Sequence, residues 1–145
     1  MQLKIKRLHP QAIIPKHATD GAACFDLHAC IDEMETLVSG MAEDFGTGLA
    51  FEVPPGYALM VYSRSGHGFK HGVRLANCVG VIDSDYRGEV RVRLNVDGSG
   101  NLLHVKPGDR IAQAMLIPVP RVELVEVHDL SETARGAGGL GSTGA

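Results

Sequence analysis

Val90-Arg-Val-Arg-Leu-Asn-Val96 alternates without a break. Val90, Val92, Leu94 and Val96 fall on one face, and Arg91, Arg93 and Asn95 on the other, which is the pattern of a half-buried strand. Directly before it stands Gly80-Val-Ile-Asp-Ser-Asp-Tyr-Arg-Gly-Glu89, which sets three acids, a tyrosine and an arginine between apolar runs. Leu75-Ala-Asn-Cys-Val79 leads into it. We read the decapeptide as a hairpin, a charged turn carried on a rigid platform.

Working outward, Tyr57 to Ser63 reads as a buried strand after the strong turn Pro54-Pro55-Gly56. Arg64-Ser65-Gly66 breaks the apolar run, and the glycines around Phe69-Lys-His71 allow one short helical turn. Lys106-Pro-Gly-Asp109 is a turn, Ile111 to Val119 an apolar strand, and Val122 to Val127 the last strand. Towards the N-terminus, Leu3 and Ile5 alternate with lysines. From Ala22 to Ala29 the period of two returns, with Phe25 and Leu27 facing inward and Asp26 outward. Ile31 to Phe51 is weakly patterned, and its acids, Glu33, Glu35, Glu43 and Asp44, mark exposed strands and loops without chemistry. Short strands at near-regular spacing predict an all-β fold, a single β-barrel or jelly-roll-like domain with at most one short helix. Residues 1–130 make that domain, and residues 131–145 form a flexible glycine-rich C-terminal arm.

The chain has 145 residues, 18 of them glycine, and a net charge of −3. That balance argues against a broad basic face for nucleic acid, yet leaves room for a small anionic ligand held by a few arginines and backbone N–H groups. No apolar run reaches the ~18 residues of a membrane span, and Met1 to Leu8 hold no apolar signal core. Three cysteines with no CxxC pair suggest a reducing compartment. Cys24 and Cys30, read on one strand, lie about 20 Å apart and cannot bridge. The expectation is a cytoplasmic protein without membrane or nucleic-acid partners.

Several short pieces could carry chemistry. Gly136-Ala-Gly-Gly-Leu-Gly141-Ser-Thr143 echoes a P-loop but lacks its lysine, Ser142 standing there. Its glycines still free backbone N–H groups for phosphate, and Arg135 adds charge. Ser63-Arg64-Ser65-Gly66 offers a guanidinium fork and hydroxyls. Gln113 needs partners within an apolar strand. Asp83, where a strand runs into a turn, could take a proton from water. Tyr86 offers a flat apolar face with a polar tip. Asp85 and Glu89 are read as solvated or paired with Arg87.

Taken in order, Ala22-Ala-Cys-Phe-Asp-Leu-His-Ala29, Ser63-Arg-Ser-Gly66, Gly80 to Glu89, Gly108-Asp-Arg-Ile-Ala-Gln113 and Arg135 to Gly144 resemble the five motifs of the trimeric dUTPases. The resemblance implies a homotrimer that hydrolyses dUTP to dUMP and pyrophosphate with Mg²⁺, its active sites shared between subunits. By matching position it implies that Asp83 activates the attacking water and that Tyr86 packs under the deoxyribose and excludes a 2′-hydroxyl. Asn77, with Val81 and Ile82, would read the uracil. Arg64, Ser65, Gly66 and Gln113 would hold phosphates, and Asp26 would face Mg²⁺ through a water. The arm, with Arg135, Leu140, Gly141, Ser142 and Thr143, would close over a neighbour's site.

Three positions depart from the pattern. Leu140 replaces an aromatic that stacks on the base, which implies weaker clamping. Ser63 replaces a proline, and His67, read as a surface or short-helix residue without a catalytic role, replaces a leucine. Two other readings share the fold. A dCTP deaminase needs a glutamate-based site and does not read Val-Ile-Asp-Ser-Asp-Tyr-Arg-Gly at this place. A regulatory or binding protein of weak activity is the second.

Overall fold

The computed structural model describes residues 1–139, 141 and 142. Among these, eleven strands and one helix follow in the order β1 (Lys4–Arg7), β2 (Phe25–His28), β3 (Glu35–Val38), β4 (Ala42–Gly46), β5 (Leu49–Glu52), β6 (Tyr57–Tyr62), α1 (Ser65–His71), β7 (Val73–Leu75), β8 (Val79–Ile82), β9 (Arg91–Val96), β10 (Leu102–Val105) and β11 (Arg110–Pro118). The all-β expectation with one short helix holds, and the architecture is jelly-roll-like. Among the described residues no helix is long and apolar enough to cross a membrane.

The strands form four antiparallel sheets: β1-β5, β10-β3, β2-β11-β6-β8 and β4-β9-β7. Their inner faces meet in one core. Leu27, Leu59 and Ile111 come from the four-stranded sheet, Phe45, Val92 and Leu94 from β4-β9-β7, and Leu37, Phe51 and Val105 from the smaller pairs. The alternation of Val90 to Val96 is realised in full, with all four apolar residues 1% exposed.

Four expectations change. Ile31 to Phe51, read as weakly patterned with exposed strands and loops, supplies β3, β4 and β5 and much of the core, including Leu37, Phe45 and Leu49. These strands are short, and β3 and β4 each send one fully buried side chain inward from a strand that also carries acids, too little alternation for a period to show. Gly80 to Glu89 is not a hairpin, because β8 pairs with β6 whereas β9 pairs with β4 and β7. The decapeptide crosses from one sheet to another. Val122 to Val127 pairs with no strand among the described residues, and Val122 and Leu124 are 71% and 92% exposed. The strand carrying Asp26 ends at His28, short of Cys30; all three cysteines are free.

Phe45 has no solvent exposure and Phe69, on α1, is 94% exposed. Phe45→Ala is expected to lower the unfolding free energy by about 3–5 kcal/mol. Phe69→Ala should change it by no more than about 0.5 kcal/mol. Urea unfolding of both variants checks the contrast.

Candidate active site

The turn after β8 is built from the backbone up. The Tyr86 N–H donates to the Asp83 carbonyl at 3.2 Å and closes it. The Tyr86 hydroxyl donates to the Glu89 carbonyl at 3.0 Å, so the ring folds back over Gly88. A Cβ at Gly88 would stand 2.6 Å from Tyr86 Cζ, which is why a glycine sits there. Beyond the turn the chain is clamped to the segment before β5. Glu89 Oε1 accepts from the Gly48 N–H at 2.7 Å, the Val90 N–H donates to the Leu49 carbonyl at 2.9 Å, and buried Thr47 donates its hydroxyl to the Val90 carbonyl at 2.7 Å. Glu89 pairs with Arg91 at 3.3 Å, not with Arg87, which donates to the Ser84 and Tyr86 carbonyls. Asp83 itself is exposed and joins no ion pair among the described residues.

Two clefts gather most of the remaining candidates. One, of about 510 Å³, is lined by Asn77, Gly80, Val81 and Ile82, with Asp44, Arg91 and Arg93 across from them. Asn77 is set there by a tight reversal at Ala76–Cys78, where Cys78 adopts φ 63°, the left-handed region. The second, of about 360 Å³, is lined by Asp26, Arg64, Ser65, Gly66, Arg110 and Gln113 together with Ala18 and Ala22 to Cys24. Here Asp26, its side chain 15% exposed, accepts from Arg64 Nε at 3.0 Å and from Arg110 Nη1 at 3.3 Å. Gln113 finds its expected partner by donating to the Ser63 carbonyl at 2.9 Å. Burial lowers the pKa of the neighbouring His28 from its ordinary 6.5, and the Arg110 and Arg64 charges add to that while Asp26 opposes it. The His28 Nδ1 is buried without a partner.

The clefts share no lining residue. They sit towards opposite edges of the sheet β2-β11-β6-β8, so that β2 and β8 lie three strand spacings, about 14 Å, apart. The third group of candidates stands apart from both. Arg135 donates to its own arm at the Gly138 carbonyl, 2.8 Å away, and Gly141 and Ser142 are exposed. Leu140 and Thr143 lie outside the described residues.

Two residues in or against the second cleft escape a sequence reading. Arg110 stands within Gly108 to Gln113, yet its partner Asp26 is 84 positions away. His67, expected at the surface or on a short helix, lies on α1, is half-buried and stands 2.7 Å from the Arg110 carbonyl. Its signal was the break in the motif at that position.

A jelly-roll with a charged turn after β8 and a separate cleft where Arg64 and Arg110 meet Asp26 has the features expected of a β protein that handles a small anion, and comparison with known chains narrows it. The dUTPase family profile matches residues 10–144. The deoxyuridine 5'-triphosphate nucleotidohydrolase of Nautilia profundicola is 49% identical over 144 residues, 99% of both chains. Among solved structures, the dUTPase of Staphylococcus bacteriophage 80alpha with dUPNHPP superposes with a TM-score of 0.87 at 23% identity, over 99% of both chains. The D95N dUTPase of phage phi11, described with a structural Mg(II) ion, gives 0.77 at 21% identity over 89% of this chain and 98% of its own. The two phage proteins share the fold. The chain belongs to the dUTPase family and is, like its relatives, a hydrolase.

The packing of Tyr86 over Gly88 has a direct test. Gly88→Ala is expected to lower stability by about 1–3 kcal/mol, since the ring must move. Gly139→Ala, where a Cβ meets no atom within 4 Å, should stay within about 0.5 kcal/mol. Chemical denaturation of the pair reads the difference.

Proposed function

We propose that the protein hydrolyses dUTP to dUMP and pyrophosphate, as a homotrimer whose sites each draw on more than one copy. The observation that carries this is the division of the candidate site. A base-sized cleft at Asn77, Val81 and Ile82 leads to the Asp83 turn, and an arginine cleft at Asp26, Arg64 and Gln113 stands at the other end of the same sheet. Family membership supports the substrate.

In this reading Asn77 and the backbone of Val81 and Ile82 read the uracil edge. The Tyr86 ring, pinned by its hydroxyl and by Gly88, packs under the deoxyribose and leaves no room for a 2′-hydroxyl. Asp83 holds a water in line with the α-phosphorus and accepts its proton as the P–O bond to the β-phosphate breaks. Arg64, Ser65, Gly66 and Gln113 of a neighbouring copy position the phosphates. Arg135, Leu140, Gly141, Ser142 and Thr143 of the arm close the site and exclude bulk water.

The residues fit Mg²⁺ in one way. Among the described residues no three His, Cys, Asp or Glu side chains gather as a metal-holding group. A single carboxylate beside a phosphate site suits an ion held chiefly by substrate oxygens and water. Asp26 is that carboxylate, reaching the ion through a water, and the bound ion would neutralise charge developing on the phosphates.

Pyrophosphate release is expected from dUTP and not from UTP, dTTP or dCTP; ammonia from dCTP would point to a deaminase, and binding without turnover to a regulator. Asp83→Asn should reduce kcat at least about a hundredfold while nucleotide still binds.

Sharing of sites is tested by mixing. Asp83→Asn and Arg64→Ala homo-oligomers should each be nearly inactive. Co-refolded mixtures should regain a substantial fraction of activity, because some sites then take Asp83 from one copy and Arg64 from another. Mixtures no better than the parents would place both residues in one chain's site.

A further inference from the structure

His67 is bound to the phosphate cleft by more than proximity. Its Nε2 lies 2.7 Å from the Arg110 carbonyl oxygen, which can only accept, so Nε2 carries the proton and the imidazole donates. The Arg64 Nη1 donates to the same oxygen at 3.3 Å. The 3.4 Å separation between Arg64 Nη1 and His67 Nε2 is then two N–H groups converging on one acceptor, not a bond between them. With Arg64 Nε donating to Asp26 at 3.0 Å, the guanidinium is held at two of its three nitrogens, and Nη2 makes no hydrogen bond among the described residues, which leaves it able to donate to an anion.

The helix needs such an anchor. α1 has seven residues, two of them glycine. Arg64 at its N-cap makes no side-chain capping bond, and none of its residues is buried. A helix this short has little stability of its own. The segment is fastened just before it, where the Ser63 hydroxyl accepts from the Leu75 N–H at 2.9 Å and the Ser63 carbonyl from Gln113. Within the first turn, the bond from His67 to β11 is the side-chain tie between α1 and the sheet. Ser63 and His67 are two of the three positions where the chain departs from the motif pattern, and here both make polar ties across the segment.

We propose that His67 is a positioning residue. It ties the first turn of α1 to β11 and holds the Arg64 guanidinium, with Ser65 and Gly66, in the orientation that receives phosphate oxygens. This rests on the reading of the Asp26–Arg64 cleft as the phosphate site. His67 touches neither substrate nor reacting atoms and acts through Arg64.

The test compares His67→Met, which keeps bulk but removes the donor, with His67→Gln, whose amide can donate to the same carbonyl. Variants that match wild type in thermal stability and solution mass are carried forward, alone and combined with Arg64→Ala. Losing one oriented hydrogen-bonded contact should raise KM for dUTP about tenfold and alter kcat by less than about threefold in His67→Met. His67→Gln should recover most of that loss. In the Arg64→Ala background, where turnover is too low to read a KM, His67→Met should weaken binding of a non-hydrolysable dUTP analogue by less than about a further twofold, because the two act as a unit. In parallel, the Arg64 Nε–H resonance of the ligand-free protein should broaden or shift in His67→Met and return in His67→Gln. Costs that simply add to those of Arg64→Ala, or an unchanged Arg64 resonance, would overturn the proposal. A wild-type protein that does not turn over dUTP would defeat the phosphate reading alone, and the Arg64 resonance would still decide whether His67 positions it.

Discussion

One carboxylate between two guanidiniums holds the candidate site in shape. Asp26 comes from β2, Arg64 from the start of α1 and Arg110 from β11, and their side chains meet where Asp26 is 15% exposed. Each segment is thereby indexed to the other two. Such a partly buried cluster adds little to stability, because desolvating the charges offsets most of their attraction. Its effect is on position. Removing Asp26 would leave two like charges facing each other, so the carboxylate is what allows both arginines to stand at one cleft. The cluster retains one net positive charge in a chain of net charge −3. A small anion is therefore attracted to this place without a broad basic surface.

The sheet β2-β11-β6-β8 explains why the candidate site residues fall into two separate clefts. Its register runs unbroken from Asp26 opposite Gln113, through Tyr62, to Val79. A paired sheet does not fold its edges onto each other, so cleft and turn remain at fixed separation. Completing a site by bringing in a second copy requires no change in this sheet, only two surfaces that fit. The clamp of Glu89 and Val90 onto the segment before β5 serves the same end. It fixes the exit of the Asp83 turn to the core, leaving only the turn itself to meet a ligand.

How legible this was depended on the range of the interaction. Local alternation exposed β9, whose inward residues are all valine or leucine, and the glycine spacing exposed α1. The five motifs named the candidate site residues because each motif is a local string. What local strings cannot carry is pairing across the chain: Arg110 with Asp26, His67 with the Arg110 carbonyl, Thr47 with Val90. β3 and β4 were hidden for a related reason. Leu37 and Phe45 are each the single fully buried residue of a strand of four or five residues that also carries acids, and one buried side chain makes no period. The opposite error arose at Val122 to Val127. The alternation there is genuine, but a strand also needs an edge to pair with, and composition does not say whether one is available.

The arm follows from the same distinction between local and distant partners. Among the described residues its polar contacts are internal: Arg135 donates to the Gly138 carbonyl, and the Gly138 N–H returns to the Arg135 carbonyl at 3.1 Å. In the proposed reaction Arg135 must exchange its carbonyl partner for phosphate oxygens. That exchange gains a charge-assisted bond, while ordering each arm residue costs about 1–2 kcal/mol of backbone entropy. Gly136 and Gly141 already occupy positive φ, at 50° and 89°, so closing asks no strained conformation of them. In that reading, an arm that closes on a highly charged ligand and reopens when the charge leaves suits turnover better than a tightly held lid would.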